Sequence, residues 1–191
     1  MIKKRHRAAP DLHKAKPAFA GSDNPVGKQG ARSIVIGLGN PFLSDDGVGP
    51  MVARRVHEIL DSPDTDLCEL ASGGVELMET MVGYRSAVII DALLAGKGTP
   101  GACYLLDLQH CPPTRRVTTS HEIGLLEGLE LGRRLGLAMP DSVSVYAIEV
   151  VDPLTFGTEM TGAVKGAIPR IAQEIATEIS MGFSNTPAAM P

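Results

Sequence analysis

The alternation of short strand-like segments with longer segments of helical periodicity is the feature that most constrains the fold of this chain. Strands are predicted at residues 33–38, 66–70, 87–90, 102–106 and 142–148, and helices at residues 48–60, 75–81, 119–135 and 159–179. Strands that alternate with helices are typical of a doubly wound α/β sandwich. We therefore expect an α/β single-domain sandwich, with a central, mostly parallel five-stranded sheet flanked by helices on both faces.

Charge separates a basic amino-terminal segment from an acidic body. Residues 1–32 contain eight Lys or Arg and two Asp, a net charge of +6, so the remainder carries −10 of the overall −4. We expect residues 1–32 to be a basic, disordered extension, residues 33–181 to be the α/β domain and residues 182–191 to be a frayed tail. The acidic body argues against a nucleic-acid partner, and no apolar run is long enough to predict a membrane span.

The three cysteines indicate a reducing compartment. Cys68, Cys103 and Cys111 are odd in number, widely spaced and without a CxxC pair, which argues against both a disulfide framework and a zinc knuckle. We therefore expect a cytoplasmic protein.

Three separated polar residues are candidates for a common site. Asp46, Asp91 and His121 each follow a strand-like run or a turn into a helix. Ligands of open α/β sheets bind outside the carboxyl ends of the strands, where these three residues would meet. Two carboxylates and an imidazole suit a divalent metal and leave coordination positions open.

Each candidate also has a purely structural interpretation. Asp45 and Asp46 could cap the helix that begins after them and favour its dipole. Asp91 could cap a loop at the end of its strand, and His121 could be a surface residue in a first helical turn. Residue types and spacing alone leave these alternatives open.

A dinucleotide site is not supported by the glycine pattern. Gly37 and Gly39 follow a strand, but the third glycine of the fingerprint is replaced by Phe42. The chain also lacks a P-loop, a GxSxG elbow and an HExxH helix.

Several motifs in order along the chain resemble the hydrogenase maturation proteases. The resemblance extends from about Ile34 to Ile179 and includes GLGNPFLSDDGVG, SGGVEL, VIIDAL and SHEIGL. It implies an endopeptidase that removes the C-terminal extension from the large-subunit precursor of a nickel–iron hydrogenase after metal insertion. It also implies that this precursor is the partner, and a monomer that meets the large subunit is the simplest picture of the complex.

The resemblance assigns roles to particular residues. The family's three metal-binding positions correspond to Asp46, Asp91 and His121; the first is frequently Glu in the family and is one methylene shorter here. Substrate contacts are expected, in the same way, at four positions of two of the motifs: Asn40, Asp45, Gly73 and Gly74.

The resemblance further implies that nickel is supplied by the substrate, although other divalent metals could substitute for it. Two mechanisms stay open. A metal-bound water could attack the peptide carbonyl, or the metal could serve only recognition while Asp46 or Asp91 acts as general base.

Two other functions are compatible with parts of the sequence. A non-catalytic, nickel-dependent chaperone of a hydrogenase subunit would use the same ligands without cleaving its partner. Peptidyl-tRNA hydrolases share GLGNP, but the resemblance ends after these five residues, and an acidic body fits tRNA poorly.

Overall fold

A five-stranded sheet forms the centre of the molecule. The computed structural model describes residues 32–96, 98–106 and 122–182, without the side chains of residues 122–124 and 126. The strands are β1 (Ser33–Leu38), β2 (Thr65–Leu70), β3 (Ser86–Leu93), β4 (Cys103–Leu106) and β5 (Ser142–Glu149). The helices are α1 (Val48–Leu60), α2 (Val75–Met81), α3 (Glu122–Arg134) and α4 (Gly162–Ser180), and a 3-10 helix (Ser44–Gly47) precedes α1.

The sheet has the order β2-β1-β3-β5-β4, with only β4 antiparallel to its neighbour. One face packs against α1 and α4, through residues such as Val88 and Ile171. The other face packs against α2 and α3, through residues such as Ile89 and Leu129. All of β3 is buried, because it has a strand on each side and helices on both faces. This arrangement confirms the predicted fold class.

Several predicted boundaries differ from the structure, and three of these differences have a visible cause. β3 continues to Leu93 and β5 to Glu149, because parallel pairing between them extends to that register position. α4 begins at Gly162 and not at residue 159, since both the backbone N–H and the hydroxyl of Thr161 donate to the carboxylate of Asp45 just before the helix.

The predicted tails lie almost entirely outside the described residues, so the domain boundaries stay predictions. Arg32, at the beginning of the described part, forms an ion pair with Asp66 of β2. None of the helices in the described part combines the length and the apolar character that crossing a bilayer requires.

The start of α1 lies directly on the carboxyl ends of β1 and β3. A Cβ atom on Gly49 would be 2.1 Å from the carbonyl oxygen of Leu38 and 2.5 Å from that of Ile90. A Cβ on Gly39, whose φ is +135°, would be 2.0 Å from the carbonyl oxygen of Asp46. The absence of a side chain at these two glycines therefore allows the 3-10 helix and α1 to approach the end of the sheet.

We expect Gly49→Ala to lower the free energy of unfolding by about 2 kcal/mol, because the new methyl group would overlap backbone oxygens that cannot rotate away. Gly166→Ala is the matched control: a Cβ there meets nothing within 4 Å. In the interior of α4 this change should stabilise the protein by roughly 0.5 to 1 kcal/mol. Urea unfolding of both variants measures the difference, and equal effects would contradict the close approach at Gly49.

Candidate functional site

Asp46 and Asp91 lie at the same end of the sheet. Asp91 is near the carboxyl end of β3, and Asp46 is in the 3-10 helix that continues into α1. Gly49 of α1 packs against the carbonyl oxygen of Ile90, the residue before Asp91. The fold therefore brings two of the three predicted site residues to the carboxyl edge of the parallel strands, where ligands of open α/β sheets bind.

Asp46 is half-buried and closes the loop after β1. The backbone N–H of Asn40 donates to Asp46 Oδ2 at 2.6 Å, and the backbone N–H of Asp46 donates to the carbonyl of Leu43 at 2.8 Å. The N-cap residues are Gly47 for α1 and Leu43 for the 3-10 helix, and neither makes a side-chain capping bond. The helix-capping interpretation of Asp45 and Asp46 is therefore wrong.

Asp91 is buried within β3, two residues before the strand ends. Its Oδ1 accepts a hydrogen bond from the backbone N–H of Ala92 at 2.8 Å. Side chains alternate along a strand, so Asp91 shares its face with Ile89 and Leu93, which pack in the layer of α2 and α3. The carboxylate of Asp91 thus faces the side of the sheet that α3 covers.

His121 lies outside the described residues, so its distance from the two aspartates stays a prediction. α3 begins at the next residue, Glu122. The segment after α3 lies at the amino edge of the sheet, where the backbone N–H of Gly83 donates to the carbonyl of Ala138. α3 therefore runs antiparallel to the parallel strands, and its amino end lies toward the edge that carries Asp91.

A complete metal site is not present in the described part of the chain. No three His, Cys, Asp or Glu residues within it are grouped closely enough to hold a metal ion. The predicted set has its third member at position 121, outside these residues. Metal binding by Asp46, Asp91 and His121 accordingly stays a prediction.

Asp45 connects two loops at the carboxyl edge. It is fully buried, and its Oδ2 accepts from the backbone N–H groups of Val151 and Asp152 at 3.1 and 3.0 Å. The backbone N–H and hydroxyl of Thr161 donate to the same carboxylate at 2.7 and 2.9 Å. The predicted substrate contact at Asp45 is therefore corrected: a buried carboxylate with four donors holds the structure together and is not available to a ligand.

The backbone reinforces this connection. The backbone N–H of Ser44 donates to the carbonyl of Gly157 at 2.7 Å. The backbone N–H of Gly157 donates in turn to the carbonyl of Phe42 at 2.8 Å. The Ser44 hydroxyl donates to the carbonyl of Glu159 at 2.8 Å. These bonds hold Ser44 at a φ of +38°, a conformation that is unfavourable for a residue with a side chain.

Asn40 shapes the loop that carries Asp46. Its backbone N–H binds Asp46, and its side-chain Oδ1 accepts the backbone N–H of Phe42 at 2.9 Å. An Asx turn of this kind directs the chain back over the end of β1. Asn40 therefore stabilises the conformation of this loop, and its predicted contact with substrate stays a prediction.

Gly73 and Gly74 lie between β2 and α2 and are half-buried. Gly74 has a φ of +71°, which favours glycine, and a Cβ there would meet nothing within 4 Å. Gly128 belongs to α3, and a Cβ atom on it would be only 3.1 Å from the carbonyl oxygen of Gly74. Helix α3 therefore packs closely beside Gly74. Open space beside Gly74 is compatible with the predicted substrate contact, which stays a prediction.

Glu149 is a buried carboxylate that the sequence reasoning missed. It is the last residue of β5, pairs with Leu93 in the parallel register and therefore faces the same side of the sheet as Asp91. Its Oε1 accepts the N–H of Gly96 at 2.9 Å, and its Oε2 is buried without a hydrogen-bond partner in the described structure. Glu149 directly follows the apolar run of its predicted strand, just as Asp91 follows the run of its own. This similarity was the signal in the sequence that could have identified Glu149.

The two cysteines in the described residues are poor nucleophiles. Burial raises the pKa of Cys103 to about 12, and burial also raises the pKa of Cys68. Both thiols are therefore protonated at neutral pH, whereas catalysis by cysteine requires the thiolate.

Sequence and structure comparisons agree on one family. The family model for hydrogenase maturation proteases matches residues 50–178. The hydrogenase 2 maturation protease of Escherichia coli is 24% identical over 160 residues, which cover 82% of this chain and 96% of that protein.

Two solved structures share the fold. The hydrogenase maturating endopeptidase HybD of Escherichia coli superposes with a TM-score of 0.60 at 22% identity, covering 79% of this chain and 94% of that one. The nickel–iron hydrogenase maturation protease HycI of Thermococcus kodakarensis gives a TM-score of 0.57 at 22% identity, covering 78% and 93%.

A carboxylate-bearing edge on a doubly wound sheet, together with the family match, defines the class of protein. The chain belongs to the hydrogenase maturation protease family. It is therefore a hydrolase that acts on peptide bonds, and the peptidyl-tRNA hydrolase alternative is not supported.

We expect Asp45→Asn to lower the free energy of unfolding by about 3 kcal/mol. In either orientation the new NH₂ group would face at least one of the three backbone N–H groups that now donate to the carboxylate. Asp64→Asn, an exposed change of the same kind, should stay within about 0.5 kcal/mol of the parent. Urea unfolding measures both, and similar stabilities would show that Asp45 does not hold these loops.

Proposed function

We propose that this protein is an endopeptidase that removes the C-terminal extension of a nickel–iron hydrogenase large-subunit precursor and recognises the nickel in that precursor. The observation that carries the proposal is the position of Asp46 and Asp91 at one edge of the sheet, in a chain of this protease family. The precursor is the partner that the family description implies.

The proposed nickel ligands are Asp46, Asp91 and His121. Carboxylate and imidazole groups suit nickel, and three protein ligands leave positions for groups of the substrate. Nickel belongs to the substrate in this proposal, so the protease supplies part of a coordination sphere and needs no permanent metal site. Other divalent metals with the same ligand preferences could substitute.

The difference in burial between the two aspartates suggests different roles. Asp46 is half-buried, whereas Asp91 is buried and receives the backbone N–H of Ala92. A general base needs access to the water that it activates, so Asp46 is the better candidate for that role. Asp91 is better suited to hold the metal or to orient the site. A nickel-bound water is the alternative source of the nucleophile.

We further propose that the protein acts as a monomer in the cytoplasm. Cys68 and Cys103 are free thiols, which fits a reducing compartment. In this proposal the complex contains one copy of the protease and one folded, nickel-containing precursor, so no second copy of the protease is needed.

The decisive experiment compares nickel-loaded with nickel-free precursor, with mass spectrometry of the precursor as the readout. We expect loss of the C-terminal extension only with nickel. Asp46→Asn, Asp91→Asn and His121→Gln should each lower kcat/KM by about 100-fold or more, the range for removal of a general base or metal-orienting group.

Asp64→Asn is the control for a lost carboxylate and should retain full activity. Stable complex formation without a change in precursor mass would support the chaperone instead. Equal cleavage with and without nickel would refute nickel recognition, and full activity of all three site variants would refute the site.

A further inference from the structure

Four apolar side chains are exposed on two neighbouring loops at the carboxyl edge. Phe42 is 57% exposed, Val151 52%, Leu154 78% and Phe156 82%; we call these four residues the loop patch. Phe42 belongs to the loop after β1, and the other three belong to the loop after β5. Exposed apolar patches on a folded protein typically mark a surface that contacts a partner.

The aromatic content of the patch is unusual for this chain. The whole chain contains four phenylalanines, and the two within the described residues are Phe42 and Phe156. Both lie on the patch, and neither contributes to the core clusters. Aromatic side chains are enriched in the energetically dominant parts of protein interfaces.

The patch is held by hydrogen bonds on both loops. The backbone carbonyl of Phe42 accepts the N–H of Gly157, and the backbone N–H of Val151 donates to the buried carboxylate of Asp45.

Within the second loop, Asp152 Oδ1 accepts the backbone N–H groups of Leu154 and Thr155 at 3.2 and 3.0 Å. The pKa of Asp152 is lowered, first by the Thr155 hydroxyl and then by these N–H groups, so it stays charged at neutral pH. The side chains are thus presented on ordered backbone, which limits the entropy lost on binding.

The patch is continuous with the proposed catalytic edge. Residues 40–46 carry both Phe42 and Asp46, and the Asx turn at Asn40 and the bond from Asn40 to Asp46 connect the two. The patch therefore lies beside the position that a peptide segment has to reach in order to contact Asp46.

We propose that the loop patch is the docking surface for the folded body of the large-subunit precursor, separate from the groups that act on the scissile bond. This inference rests on the proposed function and specifies which surface holds its substrate. The occupant is the folded body of the precursor, because the patch adjoins the aspartates to which the proposed function assigns its C-terminal extension.

The test measures KM and kcat for cleavage of the nickel-loaded precursor by the full chain. The variants are Phe42→Ser and the double variant Leu154→Ser/Phe156→Ser. We expect KM to rise at least about tenfold while kcat stays within about twofold, because the changed groups contact the precursor away from the reacting bond. The melting temperature should change little, since exposed side chains leave no cavity when shortened.

Leu135→Ser is the matched control. Leu135 is 63% exposed and follows α3 at the opposite edge of the sheet, so its replacement should leave KM unchanged. Sedimentation equilibrium of the parent and of Phe156→Ser, whose KM is measured in the same way, gives the oligomeric state independently.

Four results would overturn the inference. Unchanged KM in the patch variants of an active enzyme refutes docking and leaves the proposed function intact. A lower KM would indicate that the chain's own residues 1–31 cover the patch. A parent dimer that Phe156→Ser dissociates without raising KM would make the occupant a second copy. No cleavage by the parent enzyme would refute the proposed function, and the docking surface with it.

Discussion

The buried carboxylate of Asp45 is the interaction on which the carboxyl edge of this molecule depends. A single side chain binds donors from Val151, Asp152 and Thr161, more than a hundred residues away in sequence. A buried charge is stable only when it is compensated, and here hydrogen-bond donors from the loop after β5 and from the start of α4 supply that compensation. The carboxylate therefore determines where α4 begins and how the two loops at the edge lie together.

This connection has consequences for the site beside it. Asp46 follows Asp45 directly, and its carboxylate binds the N–H of Asn40, so the loop that carries it is held from both ends. Gly39 and Gly49 allow this loop to lie against the ends of β1 and β3. The edge that results presents one half-buried and one buried aspartate beside an exposed apolar surface, an arrangement suited to a protease whose substrate is a folded protein.

Much of the fold was predictable from local pattern, because apolar periodicity reflects which faces of each element become buried. The five strands, the layers of helices and the placing of Asp46 and Asp91 at one edge followed from it. The predicted helix ends were less accurate, since α4 begins where Thr161 meets Asp45 and not where helical periodicity begins. The interpretation of Asp45 and Asp46 as caps was wrong for two reasons. The carboxylate of Asp45 binds donors that are distant in sequence and leave no local signal, and the carboxylate of Asp46 binds the N–H of Asn40, which precedes the helix.

The α/β class, the family and the candidate residues Asp46, Asp91 and His121 could be read from the amino-acid sequence, since they depend on the order of local motifs along the chain. Three properties became visible only in the folded molecule. Asp45 is a buried tether and not a substrate contact, Glu149 shares a face of the sheet with Asp91, and both described phenylalanines are exposed at the carboxyl edge. These properties depend on strand register, burial and long-range hydrogen bonding, which exist only after the elements have packed together.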